Sequence, residues 1–116
     1  MRAGELSLRD HVEGDRHTVL LGGEWDLATG PDVFAAIERV LAQGARELVL
    51  DIGELTFIDS TGIRGILTVR DLCETHGCEF GVTLGQAHVQ RVFKIAGLEE
   101  VLPFAQRTPT GASPND

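Results

Sequence analysis

The run Glu47-Leu48-Val49-Leu50-Asp51-Ile52 constrains this chain more than any other segment, because it is almost continuously apolar. A half-exposed strand alternates between apolar and polar residues, and a surface helix repeats every ~3.6 residues. This run does neither. A strand covered on both faces reads this way, and such strands sit centrally, parallel to a neighbour. Helical patterns flank it. Gly30-Pro31-Asp32 opens the first, with proline at a first-turn position and aspartate where the helix dipole favours it. Val33, Phe34, Ile37, Val40 and Leu41 then recur on one helical face, and Gly44 supplies a left-handed stop. After a loop from Gly53 to Ile58, a second helix is expected from Asp59-Ser60-Thr61-Gly62 to about His76. Ile63, Ile66, Leu67 and Cys73 face inward on it, and Gly77 ends it.

The remaining segments fall around this centre. Leu6, Leu8 and Val12, the turn Glu13-Gly14-Asp15, and the β-rich run Thr18 to Leu21 ending at Gly22-Gly23 form an antiparallel hairpin. Phe80 to Leu84 is a further strand, with Cys78 at its start. Ala87 to Ala96 is a helix with Val89, Val92, Phe93 and Ala96 inward, closed by Gly97. Val101-Leu102-Pro103-Phe104 is a short edge strand, since proline is poorly tolerated in a central one. The order β-β-α-β-α-β-α-β implies an α/β fold: a mixed, mostly parallel sheet carrying three to four helices. Residues 1–105 form one domain in this reading. Residues 106–116, rich in Thr, Pro, Ser, Gly and Asn, are expected to be a disordered tail.

Charge narrows the partners. The formal net charge is −8. Nucleic acid and anionic membrane surfaces need clustered lysine and arginine, so neither is expected as a partner. A basic protein surface suits this chain better. Its 2 cysteines, Cys73 and Cys78, have no companion Cys or His pair at metal-site spacing, so no metal is expected. The start Met1-Arg2-Ala3-Gly4-Glu5 has no apolar run, so no signal peptide is expected, and no apolar run is long enough to span a bilayer, so a reduced, cytoplasmic setting is expected.

Asp59-Ser60-Thr61-Gly62 is the segment with chemistry in it. It stands between a strand and a helix, where backbone N–H groups lack partners and the dipole is positive. Ser60 is placed to cap the helix there, and an anion on Ser60 would be tolerated in the same position. Enzyme readings fit less well. Ser60 lies in I-D-S-T-G, not the G-x-S-x-G of a hydrolase elbow. Aspartic proteases share some of these letters but are all-β and lack the extra residue. His11, His17, His76 and His88 are not forced beside Ser60 as a base, and no phosphate-binding lysine loop is present.

Four pieces together carry a resemblance: Gly23-Glu24-Trp25-Asp26, Leu48-Val49-Leu50-Asp51-Ile52, Phe57-Ile58-Asp59-Ser60-Thr61-Gly62-Ile63 and Val92-Phe93-Lys94-Ile95-Ala96-Gly97-Leu98. In this order and spacing, from Leu6 to Phe104, they resemble the STAS domain, and within it the free-standing bacterial anti-sigma-factor antagonists. The resemblance implies a protein that is no enzyme and needs no cofactor. It implies partner switching in sigma-factor control, in stress response or sporulation. The unmodified protein would bind an anti-sigma factor that is a serine kinase of the GHKL ATPase type, freeing a sigma factor. Phosphorylation of Ser60 would release it, and a PP2C-type phosphatase would restore it. Asp26 would match the family's loop aspartate and Asp59 the acidic residue before the modified serine.

Two departures bear on the site. Thr61 adds a second hydroxyl beside Ser60 and is its rival. Trp25 replaces an aliphatic residue, either half-buried at the sheet edge or anchoring a partner. Gly62 permits a close turn, and Arg64 lies on the outer side of the helix, solvated or touching a partner. A different reading makes the domain a subunit of a sensory scaffold or of a lipid-transport ATPase complex. The domain is expected to be a monomer, since no long apolar surface is left over.

Overall fold

Strand β1 (Leu6–Glu13) and strand β2 (Arg16–Trp25) form the expected antiparallel hairpin in this computed structural model, which describes residues 5–105. The expected leaderless start and the expected tail, residues 1–4 and 106–116, lie outside the described residues. Gly14 opens the tight turn with φ at 62°, a conformation that favours glycine at the first position of such turns. The chain then runs α1 (Gly30–Ala42), β3 (Glu47–Ile58), α2 (Ser60–Thr75), β4 (Glu79–Thr83), α3 (Ala87–Ile95) and β5 (Phe104–Ala105). The 5-stranded sheet has the order β1-β2-β3-β4-β5, antiparallel only between the first two strands. Each parallel step needs a crossover, and the three helices supply them.

Strand β3 is central, as its apolar run requires. All five residues from Leu48 to Ile52 are buried, of both parities. Leu48, Leu50 and Ile52 join the core with Val19 and Leu21 of β2, and Val33, Ile37 and Val40 of α1. Ile66, Val69 and Cys73 of α2, and Val89 and Phe93 of α3, close it. On the other parity, the buried Asp51 carboxylate accepts hydrogen bonds from Gly53 N (2.9 Å) and from the Thr83 hydroxyl (3.3 Å). That hydroxyl in turn accepts from Ile52 N at 3.0 Å, tying β3 to the end of β4. No helix among the described residues is long and apolar enough to cross a membrane.

Several boundaries differ from expectation. Residues 53–58 are not a loop. They continue β3 alongside Gly22–Trp25, while β4 leaves the ladder at Leu50↔Val82. Strand β2 likewise does not stop at its two glycines. It bulges there, at Leu20/Gly22 and Gly23/Glu24, and carries on to Trp25. Gly23 sits at φ 91°, and a Cβ on it would collide with the Glu5 carbonyl, so glycine serves the bulge rather than a stop. At the far edge, the ladder of β5 starts after Pro103, at Phe104, since proline has no N–H to give.

Helix α2 ends in a Schellman motif. Cys78 N donates to Cys73 O (2.8 Å) and Gly77 N to Glu74 O (3.1 Å), with Gly77 at φ 68°. Cys73 and Cys78 are the apolar pair that accompanies this motif, so Cys78 precedes β4 rather than starting it.

Candidate functional site

Strands β2 and β3 end in register, with Trp25 opposite Ile58. The next residue of each, Asp26 and Asp59, therefore stands at the same carboxyl end of the sheet. Both carboxylates are engaged locally. Asp26 Oδ1 accepts from Ala28 N (2.9 Å) and Thr29 N (3.1 Å), closing the turn into α1. The buried Thr29 hydroxyl donates to Glu24 O (2.8 Å) and accepts from Asp26 N (3.0 Å), which pins the loop back on β2.

Asp59, not Ser60, caps α2. Its Oδ1 accepts from Thr61 N (2.9 Å) and Gly62 N (3.1 Å), and its carbonyl accepts from Ile63 N (2.9 Å). Both residue types cap well, so the choice falls to where the backbone turns helical. Asp59 is still extended (φ −115°, ψ −168°), whereas Ser60 is the first helical residue. Ser60 is consequently exposed, and its hydroxyl has no hydrogen-bond partner among the described residues. Thr61 is half-buried and Arg64 is exposed. Gly62 is buried: a Cβ there would collide with Ile58 Cγ1 and lie 3.0 Å from Trp25 O. It offers a partner no side chain; it lets α2 start this close to the strand ends.

Trp25 is neither half-buried at the edge nor a surface anchor. It is 0% exposed, the largest fully buried side chain. Its indole lies beneath α2 at Gly65, where a Cβ would stand 2.7 Å from Cζ2. A Cβ on Gly30 would be 3.9 Å from both Trp25 Nε1 and Thr61 Cγ2, so the ring underlies the start of both helices. Gly65 escaped the sequence reading. A glycine inside a helical pattern is a signal of close packing, and Gly62 and Gly65 are two such in one turn.

Exposed apolar residues lie toward the carboxyl ends of the strands: Leu27 in the turn after Asp26 (77% exposed) and Phe57 (47%) beside the site, and Leu84 just past β4 (44%), further back along β3. Sequence reasoning missed Leu27, since a lone leucine in a loop has no periodic context. None of the four histidines bonds to Ser60: His88 Nε2 lies 2.6 Å from Thr56 O and His76 Nδ1 3.0 Å from Leu72 O. Among the described residues no three metal-ligating side chains cluster. The thiols are far from the site and inert. Burial, then its neighbour Cys78, pushes Cys73 up to about 12, and burial raises Cys78 as well.

A sequence profile described as "Mlab, STAS domain" matches residues 8–103, most of the described fold. The chain belongs to the STAS-domain family. One relative is BtrV of Bordetella bronchiseptica, provisionally described as an anti-sigma factor antagonist. It is 31% identical over 98 residues, which cover 80% of each chain. An anti-sigma factor antagonist from Mycobacterium paratuberculosis shares the fold at TM-score 0.78 and 23% identity, over 90% of this chain and 88% of that one. SpoIIAA, an anti-sigma factor antagonist solved unphosphorylated, matches at TM-score 0.74 and 21% identity, over 89% and 90% of the two chains. Its phosphorylated Bacillus form matches at TM-score 0.68 and 22% identity, over 90% and 93%. The STAS motifs read from the sequence all lie in the matched span, and two of them, Trp25-Asp26 and Ile58-Asp59, are the paired strand ends that build this site.

Proposed function

We propose that this STAS domain is an anti-sigma-factor antagonist whose binding is switched by phosphorylation of Ser60. Unmodified, it binds an anti-sigma factor that is a GHKL-type serine kinase and so frees a sigma factor. Phosphorylated, it is released, and a PP2C-type phosphatase resets it. The observation that carries this reading is the exposed, unbonded Ser60 hydroxyl at the first helical position, just past the paired strand ends whose aspartates, Asp26 and Asp59, are already occupied by backbone N–H groups. A kinase meets that hydroxyl before the half-buried Thr61. Leu27 and Phe57 supply apolar area at the same end for a partner to cover, and Arg64 and Asp26 supply charge at its rim.

The energetics suit a switch. A phosphoryl group adds about −1.5 to −2 charge at neutral pH. Desolvating it in an interface costs several kcal/mol, and about 3 kcal/mol already lowers affinity about a hundredfold. Capture of host proteins by wild type, Ser60→Ala and Ser60→Asp tests the reading. Wild type and Ser60→Ala retain a GHKL-type kinase and Ser60→Asp loses it. Equal capture by all three removes Ser60 from the switch.

A second reading, a subunit of a sensory scaffold or of a lipid-transport ATPase complex, draws on the Mlab label of the matched profile. Co-purification in a large assembly that ignores Ser60 substitution supports that reading instead.

A further inference from the structure

We infer that Arg64 is the internal counter-ion of a phosphoryl group on Ser60, an inference that rests on the phospho-switch reading above. The helix start offers such a group little else. Asp59 already takes the N–H groups of Thr61 and Gly62, and its carbonyl takes that of Ile63. A bare helix N-terminus welcomes a phosphate, but this one gives two of its N–H groups to a carboxylate that repels a second anion.

Arg64 is the cation within reach. It follows Ser60 by one helical turn on α2, and both residues are exposed. Residues four apart on a helix are neighbours, with Cβ atoms about 6 Å apart. Helical side chains lean toward the N-terminus, so the guanidinium leans over the turn that bears Ser60. Its fork of N–H donors matches phosphate oxygens. Arg64 has no ion-pair partner among the described residues, whereas Arg70, further along α2, is held by Asp71 at 3.3 Å. Arg64 is thus free to turn to a phosphate.

This contact makes the switch larger than one added group. Unmodified, Arg64 is a positive point on the rim of an acidic domain. Phosphorylated, the domain gains negative charge and the positive point is drawn inward to meet it. The contact also favours the dianion, so the full charge is present at neutral pH. The other charged or titratable groups toward this end are Glu24, Asp26, Asp32 and Asp59, which oppose the dianion, and His88, whose Nε2 lies 2.6 Å from Thr56 O; the dipole of α2 favours the dianion.

The test installs phosphoserine at position 60 of the full chain during synthesis and follows its second ionisation by phosphorus NMR. Arg64→Gln leaves the aspartates and the dipole in place, so the difference isolates Arg64. The pKa is expected about half a unit lower in wild type than in Arg64→Gln. Arg64→Lys is expected to recover part of the shift, and Arg70→Gln to titrate like wild type. Superimposable wild-type and Arg64→Gln curves overturn the inference, as does an equal shift from Arg70→Gln. Because the phosphoserine is built in, this outcome is independent of any kinase. Failure of the switch reading shows elsewhere, as equal partner capture by wild type and Ser60→Asp.

Discussion

Replacing Gly65 by alanine sets two opposed effects against each other, and the geometry decides between them. In a helix interior alanine is favoured over glycine by about 1 kcal/mol. Gly65 has no positive φ to lose, so that gain is available in principle. Against it, a Cβ at position 65 would stand 2.7 Å from Trp25 Cζ2, 3.2 Å from Cε2 and 3.4 Å from Nε1. Non-bonded carbons rest about 3.5–4.0 Å apart, so helix and ring must part by about 1 Å. The ring is 0% exposed and cannot swing outward. Overpacking of this kind costs about 1–3 kcal/mol, which leaves a net loss of about 1 kcal/mol. The chain has 1 tryptophan and no tyrosine, so intrinsic emission reports Trp25 alone. Urea unfolding followed by that emission should show a midpoint lowered by about 0.5–1 M, with a displaced native emission maximum. A midpoint that rises, with native emission unchanged, would refute the close contact between α2 and Trp25.

Asp59→Ala should lower stability by about 1 kcal/mol through loss of the α2 cap, while Asp59→Asn keeps most of it; equal melting temperatures for Ala and Asn would deny Asp59 the cap. Stability should fall in alkali because of the two buried thiols, Cys73 foremost and Cys78 with the same sign. The Cys73 thiol moves from 9.0 unfolded to about 12 folded, so the stabilisation is whole below pH 9 and is lost as pH rises toward 12, where only the unfolded chain sheds the proton. Cys73→Ala should flatten that limb in chemical unfolding run across pH, and an unchanged slope would sink the assignment. For the same reason native Cys73 should resist a thiol-specific reagent at pH 8, and rapid labelling without unfolding would show it accessible.

Local pattern alone carried much of this protein. The continuous apolar run at 48–52 placed the central strand, and the spacing from Val33 to Leu41 placed the core face of α1. Gly44, Gly77 and Gly97 marked helix ends and do adopt positive φ. These features are legible because each is set by backbone sterics or by which face must leave water within a few residues. The segment Asp59-Ser60-Thr61-Gly62 was also visible as a helix start, since its place between a strand and a helical period is a local fact. What the tertiary structure decided was register. The pairing of residues 53–58 with the bulged end of β2 turned an expected loop into strand and brought Asp26 level with Asp59. It also carried Trp25 under α2, which made Gly62 and Gly65 obligatory and put into the core a ring expected either half-buried at the sheet edge or anchoring a partner. Those outcomes depend on contacts between segments more than thirty residues apart. Such contacts leave no period in either segment, because a register is a property of two strands together.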